Sequence, residues 1–345
     1  MKSFAFWLAL FSALLFGAAT PISKPLLEYL STFQLAGLLY LGAAIGVLVI
    51  VLRGEKLVLP WKLDGKNKLR LMGAVIFGGI LAPIALLAGL RLALSASVSM
   101  WLNMEMVATA ILGHFIFKDY LTRKSWLAVA GVFLAAIILA FSEGLAGFQA
   151  GLLVLLSCIC WGLDNHLTAL IDGISPAQST FWKGLVAGST NLLIGLILAP
   201  ISATIGIAFG AILIGIFSYG LSIVLYITSA QQIGATRSQL IFSSAPFWGV
   251  LISLLVFGEP LTWQIAIAFV ILLFSILILF QEQHAHLHAH ESVIHNHIHL
   301  HSDGHHNYDH IKSPESGWHS HVHKHLPFKH SHPHWPDIHH RHEHD

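Results

Sequence analysis

Charge is what this 345-residue chain has least of: 10% of its residues are Asp, Glu, Lys or Arg, where a soluble domain carries roughly 25%. With 55% hydrophobic residues and a mean hydropathy of +0.72, no soluble fold of this length could hide so much apolar surface. A net charge of +1 without a basic stripe gives no footprint for nucleic acid. Cysteine is nearly absent. Cys158 and Cys160 stand two apart in an apolar run, about 200° apart around a helix, which argues against a disulfide or shared ligation and favours small core residues. No Gly-x-x-x-x-Gly-Lys-Ser/Thr loop is present, so nothing points to ATP. No nucleophile–base arrangement is readable either, so an enzyme is not expected.

What the chain does have is apolar runs of spanning length, about 20 residues each. They lie near 3–22, 32–52, 71–90, 94–117, 125–142, 150–171, 177–199, 204–229, 235–257 and 262–280. The run after Lys2 reads as the first span and not a signal peptide, because nine more follow it. Such runs are too long for barrel strands, so the expected class is an all-α membrane protein of about ten transmembrane helices. Eleven cations fall in loops on one side: Lys2, Arg53, Lys56, Lys62, Lys66, Lys68, Arg70, Lys118, Arg123, Lys124 and Arg237. Only Lys24 and Arg91 fall on the other. This asymmetry orients both termini to the cytoplasm, with the chain in the cytoplasmic membrane.

The sequence also repeats. Leu10-Phe-Ser-Ala-Leu-Leu-Phe-Gly17 answers Leu155-Leu-Ser-Cys-Ile-Cys-Trp-Gly162, and Phe117-Lys-Asp-Tyr-Leu-Thr122 answers Phe257-Gly-Glu-Pro-Leu-Thr262. Ala88–Ala96 and Thr228–Thr236 form a third pair. These spacings give units of about five helices, and an odd number of spans inverts the second copy. The expected division is therefore 1–142 and 143–280 as two inverted five-helix repeats, with 281–345 as a cytoplasmic, disordered tail. Inverted repeats are an alternating-access architecture, with solute held near the midplane between the halves.

The five-plus-five pattern, Ser95-Ala-Ser97, Glu105 and Gly258-Glu-Pro-Leu-Thr262 resemble EamA-type members of the drug/metabolite transporter superfamily, across essentially all of 1–280. Trp161-Gly-Leu-Asp-Asn-His-Leu-Thr168, Lys183-Gly-Leu-Val-Ala-Gly188 with Asn191, and the terminal His330–His342 stretch are similar to one bacterial branch with such a tail. The resemblance implies a small-solute transporter, as an organic-metabolite or amino-acid-like exporter. The chain departs from the pattern at Met106, where Pro is usual, at Asp119-Tyr120 in place of Glu-Pro, and at His166 in place of Asn.

Ionisable groups at bilayer depth are functional candidates by default. Here they are Glu105, Asp164, His166, Lys183 and Arg237, and Asn103, Asn165 and Asn191 add hydrogen-bonding groups. Asp164 and Lys183 stand on consecutive antiparallel spans. They read either as a structural ion pair or as substrate-facing groups. Glu105 reads either as a packing carboxylate or as carrier of a coupling proton, since desolvation favours a neutral carboxyl. His114, nine residues further on, falls on the opposite helix face. Asp164 and His166 also point apart, so a metal site from those two alone is not expected.

The tail holds 22 of the 24 histidines, eight acidic residues and no Cys or Met. His284, His286, His288, His290 and His295, His297, His299, His301 alternate with other residues, and His330, His332, His334, His339, His340 and His342 follow near the end. Alternation sets the imidazoles of an extended run on one side. These are candidate ligands for zinc, nickel, cobalt or copper(II), and the lack of sulfur argues against copper(I). No cofactor is required. The favoured reading is a secondary transporter of a divalent transition metal ion or metal chelate, with the tail as buffer or sensor. An organic-solute exporter is the runner-up, and a membrane-anchored metal store without transport is the third. Expected partners are the bilayer and a small-molecule or metal-ion substrate, with a homodimer left open.

Overall fold

The computed structural model describes residues 2–53, 57–117, 123–171, 173–233, 241–280, 284–290, 294–299, 319–324 and 328–334. They fall into two units, Met1–Glu282 and Gln283–Asp345.

The first unit is all helix, an all-α membrane protein. Helix α1 is Lys2–Leu26, α2 is Thr32–Arg53 and α3 is Gly65–Leu90. Two short helices follow, α4 (Ser95–Trp101) and α5 (Met104–Phe117). Then come α6 (Arg123–Ser142), α7 (Gly144–Ala169) and α8 (Pro176–Leu198). Helix α9 covers 205–233, α10 is Ala245–Leu255 and α11 is Trp263–Phe280. Among the described residues, seven helices are long and apolar enough to cross a membrane. Large side chains on their outer faces stay open, with Leu52 71% exposed and Phe141 and Ile197 75%. Apolar exposure on that scale suits a bilayer and not water.

Polar residues set the helix starts. The Asp64 carboxylate accepts from the Lys66 and Asn67 amides at 3.1 and 3.4 Å, capping α3. The Asn67 side chain is the chief cause holding the Asp64 carboxyl below its usual range. Ser175 caps α8 ahead of Pro176, and Thr204 caps α9.

Small residues let the helices meet at backbone distance. Gly184 and Gly188 of α8 lie against the α2 backbone near Tyr40, Ala44 and Leu41. Gly42 and Gly46 of α2 lie against Gly215 and Gly220 of α9, and a Cβ on Gly215 would run into the Leu39 carbonyl. Close approach of this kind is how helices associate without a hydrophobic drive between them.

Two features depart from the sequence reading. The fourth span, expected to run unbroken over 94–117, breaks at Leu102 and Asn103. The Asn103 side chain donates to the Met100 carbonyl at 3.0 Å and competes with the helical ladder. Helices α3 and α9 each contain a π-helical stretch, Val75–Leu81 and Gly215–Leu221. These begin 140 residues apart, the spacing of the Phe117 and Phe257 motifs.

The second unit is the histidine-rich tail. Its described segments are strands: β1 (His284–His290) pairs antiparallel with β4 (Phe328–His334), and β2 (Ile294–His299) with β3 (His319–Lys324). The alternation of histidine with small or apolar residues has the period of a strand. The register sets His284 opposite His334, His286 opposite His332 and His288 opposite His330. It also sets His295 opposite His323, His297 opposite His321 and His299 opposite His319. His301, His339, His340 and His342 lie outside the described residues.

Candidate functional site

Within the bundle, α7 and α8 bring Asp164 and Lys183 together at 2.6 Å, with side-chain exposures of 4% and 18%. Thr168, one turn along α7, donates to the other Asp164 oxygen at 2.8 Å. A charge buried this far needs both partners, because attraction must offset lost hydration. Room for the carboxylate comes from α3: a Cβ on Gly78 would overlap Asp164.

Glu105 stands in the first turn of α5, just past the break. The Asn165 side chain donates to it at 3.0 Å and lies 3.4 Å from the Thr109 hydroxyl. Glu105 has no ion-pair partner among the described residues, whose ion pairs are Asp164–Lys183 and Lys24–Glu259. It interacts electrostatically with Asp164, Lys183 and Tyr219. The site therefore holds two carboxylates and one ammonium. Asp164 and Lys183 offset each other, and the Glu105 carboxylate accepts from a neutral amide.

The π-helical stretch of α3 supplies the opposite wall. A π turn shifts the hydrogen-bond ladder and leaves carbonyls for other donors. The Gly78 carbonyl accepts from Tyr40 Oη at 2.5 Å and from Trp161 Nε1 at 3.1 Å. The Gly79 carbonyl accepts from Asn191 Nδ2 at 3.0 Å, while the fully buried Asn191 Oδ1 has no partner. Tyr40 and Tyr219 rings lie 5.8 Å apart, and Phe16 packs on Tyr219 at 5.7 Å.

Of the residues chosen from sequence, Glu105, Asp164, Asn165 and Lys183 gather here, and Asn191 lies on the same helix as Lys183. His166 faces the Thr109 carbonyl at 3.0 Å. Asn103 faces elsewhere, toward a small cavity with Val107, Ala128, Val132 and Ser275. Arg237 lies outside the described residues. Tyr40, Tyr219, Trp161 and the two π stretches were not singled out as site elements from the sequence. The matching Ile76-Phe77 and Ile216-Phe217, again 140 apart, were the available signal.

The sequence model of the EamA-like transporter family matches this chain twice, over residues 3–141 and again over 149–281. The chain belongs to the EamA-like transporter family. Glu105 comes from the first matched stretch of this EamA-like chain, and Asp164, Asn165 and Lys183 come from the second. The site thus lies where the two EamA-like stretches meet. An uncharacterized transporter from Methanothermobacter thermautotrophicus is 24% identical over 229 residues, which are 64% of this chain and 66% of the relative. The match therefore spans just under two thirds of that relative's length. A crystal structure of a protein 16% identical aligns with a TM-score of 0.58, covering 81% of this chain and 98% of its own. That likeness shows a shared fold.

Proposed function

We propose that this protein is a secondary transporter that carries a small organic solute across the cytoplasmic membrane, with both termini on the cytoplasmic side. Its working parts are two inverted five-helix repeats that expose the Glu105 site to each side in turn. The observation that carries this reading is the hydrogen bond from Asn165 to Glu105, which ties an unpaired carboxylate in one repeat to the charged cluster of the other. Discontinuous helices meeting at such a junction are typical of alternating-access carriers. Glu105 is the group that exchanges its proton or cation in each cycle. The cluster presents both signs of charge beside aromatic rings, which suits an amino-acid-like zwitterion. It does not favour a transition metal as cargo. Among the described residues no three of His, Cys, Asp and Glu gather as a metal site, and the Lys183 ammonium repels a divalent cation.

The test is flux into liposomes under an imposed pH gradient, with an amino-acid panel and a metal panel. Glu105→Gln should lower gradient-driven solute flux at least about tenfold while the protein still folds, as expected when a required proton carrier is lost. Undiminished flux in that variant would sink the proposal.

A specific observation favours a second activity for the tail. Six cross-strand histidine pairs support reading it as a buffer for zinc, nickel, cobalt or copper(II) ions. Directly opposed positions lie about 4.5–5.5 Å apart, within reach of one ion.

A further inference from the structure

A second ion pair, partly exposed, lies at the other end of the helices, away from Glu105. Glu259, in the turn between α10 and α11, grips the start of α4. Its Oε1 accepts from the Ser95 amide at 2.9 Å and the Ser95 hydroxyl at 2.6 Å, and its Oε2 accepts from the Ala96 amide at 2.9 Å. Lys24, near the end of α1, donates to Oε1 at 3.3 Å and to the Ala93 carbonyl at 2.8 Å. From the other side Glu143 accepts from the Leu94 amide at 2.8 Å and from the Ser97 hydroxyl. Gly258 has φ of 64°, a left-handed turn that suits glycine and directs the next residue back over the bundle. Glu259 is only 10% exposed, so a single surface carboxylate closes contacts to α1 and α4 at once.

Beneath this clamp runs a seam. Ser95 and Ser99 recur one turn apart on α4, above the break that precedes Glu105, and both are buried. On the facing helix α10, Ser253 Oγ lies 3.0 Å from Ser95 Oγ, and Gly249 leaves no side chain over Ser99. The Ser99 hydroxyl has no hydrogen-bond partner. Buried polar groups are rarely left unsatisfied, and a hydroxyl that meets water whenever the seam parts would account for this one.

We propose that Glu259 is the latch of a gate, and that its release from Ser95, Ala96 and Lys24 parts α4 from α10 and opens the Glu105 site to that face. This rests on the alternating-access reading above. The cation asymmetry assigns that face to the extracytoplasmic side. By the same 140-residue offset, Asp119 and the pair Ala235–Thr236 correspond in sequence to Glu259 and Ser95–Ala96. They lie outside the described residues.

The test needs no known solute. In full-length protein with Cys158 and Cys160 replaced by alanine, Ser99→Cys reports opening through its reaction with a membrane-impermeant methanethiosulfonate reagent added outside. Glu259→Gln should raise the labelling rate about tenfold, since charge-assisted hydrogen bonds are lost, and Glu259→Asp should raise it less. Lys24→Met, which leaves the carboxylate in place, is the second variant should Glu259→Gln not reach the membrane, with a smaller rise expected. A reporter at Asn165→Cys, labelled from the cytoplasmic side, should slow as the Ser99 reporter speeds up. An unchanged Ser99→Cys rate overturns the latch. A rise at both reporters together also overturns it, because that is loosening and not gating. Transport itself is judged separately by the Glu105→Gln flux.

Discussion

Lys183 has its ammonium within 2.6 Å of Asp164 in a part of the protein where neither charge could stand alone. Removing one partner of a buried pair leaves an uncompensated charge, at a cost of about 3–5 kcal/mol, whereas removing both is far milder. Lys183→Met should therefore lower the thermal stability of the detergent-purified protein markedly, and Asp164→Asn/Lys183→Met should recover more than half of the loss. Thermal unfolding followed by size-exclusion chromatography reads both. A double variant no better than the single one would show that Asp164 has another essential charge partner. Glu105 differs because its only described side-chain partner is a neutral amide. A stability measurement and a flux measurement thus separate the two carboxylates, with Asp164 dominating the first and Glu105 the second. Both were legible in the sequence because an ionisable residue in an apolar run is conspicuous. Tyr40 and Tyr219 were not, since an aromatic residue in such a run looks like any other apolar wall until the π stretch turns a carbonyl toward it.

At the scale of elements, continuous hydropathy marked the helices well and their interruptions poorly. The apolar run 94–117 carries no Pro, and the break at Asn103 comes from one side-chain hydrogen bond that hydropathy does not register. The π stretches are equally silent in composition, and only their 140-residue spacing betrays a shared design. The contact between the α10–α11 turn and α4 joins residues 164 positions apart, which no local pattern reports. That contact has a pH dependence. Burial pushes the Glu259 carboxyl up, but hydrogen bonds from the Ser95 side chain and the Ala96 and Ser95 amides, with the charge of Lys24, outweigh it and hold the group below its ordinary range. Glu143 is the other carboxylate at this end of α4. A carboxyl lowered on folding adds stability above its unfolded value of about 4.3, and that stability is lost as pH falls through the lower folded value. Divided by the rate of a free thiol at the same pH, because only the thiolate reacts, the Ser99→Cys labelling rate should stay level between pH 7 and 5, and below the unfolded carboxyl value of about 4.3 it should climb with Glu259 in place but not in Glu259→Gln. Equal acid responses in the two proteins would show that some other group closes the seam.

Across the whole molecule, the chain joins a helical unit that carries its charges sparingly to a tail that concentrates nearly all of its histidine. Composition alone suggested metal chemistry in the tail, and it could not reveal that histidines some 20 to 50 positions apart stand opposite one another, because register is a property of pairing. The distinction is open to experiment. A structureless chelator loses zinc capacity in proportion to the histidines removed, whatever their order. A paired ladder depends on alignment. Exchanging His286 with Leu287 and His288 with Ala289 keeps every residue type and moves two histidines to the opposite strand face. Equilibrium dialysis of the full-length protein with zinc should show tight sites lost in that variant, with total histidine unchanged, and deletion of 281–345 should abolish binding altogether. In native protein, affinity should fall as pH drops through about 6.5, where imidazole takes up the proton that competes with the metal. If the exchanged variant binds zinc as tightly as the native chain, the ladder has no part in binding. If the deletion leaves gradient-driven solute flux intact, the tail serves metal and the helices serve another cargo, which is the division of labour that the ligand-poor Glu105 site implies.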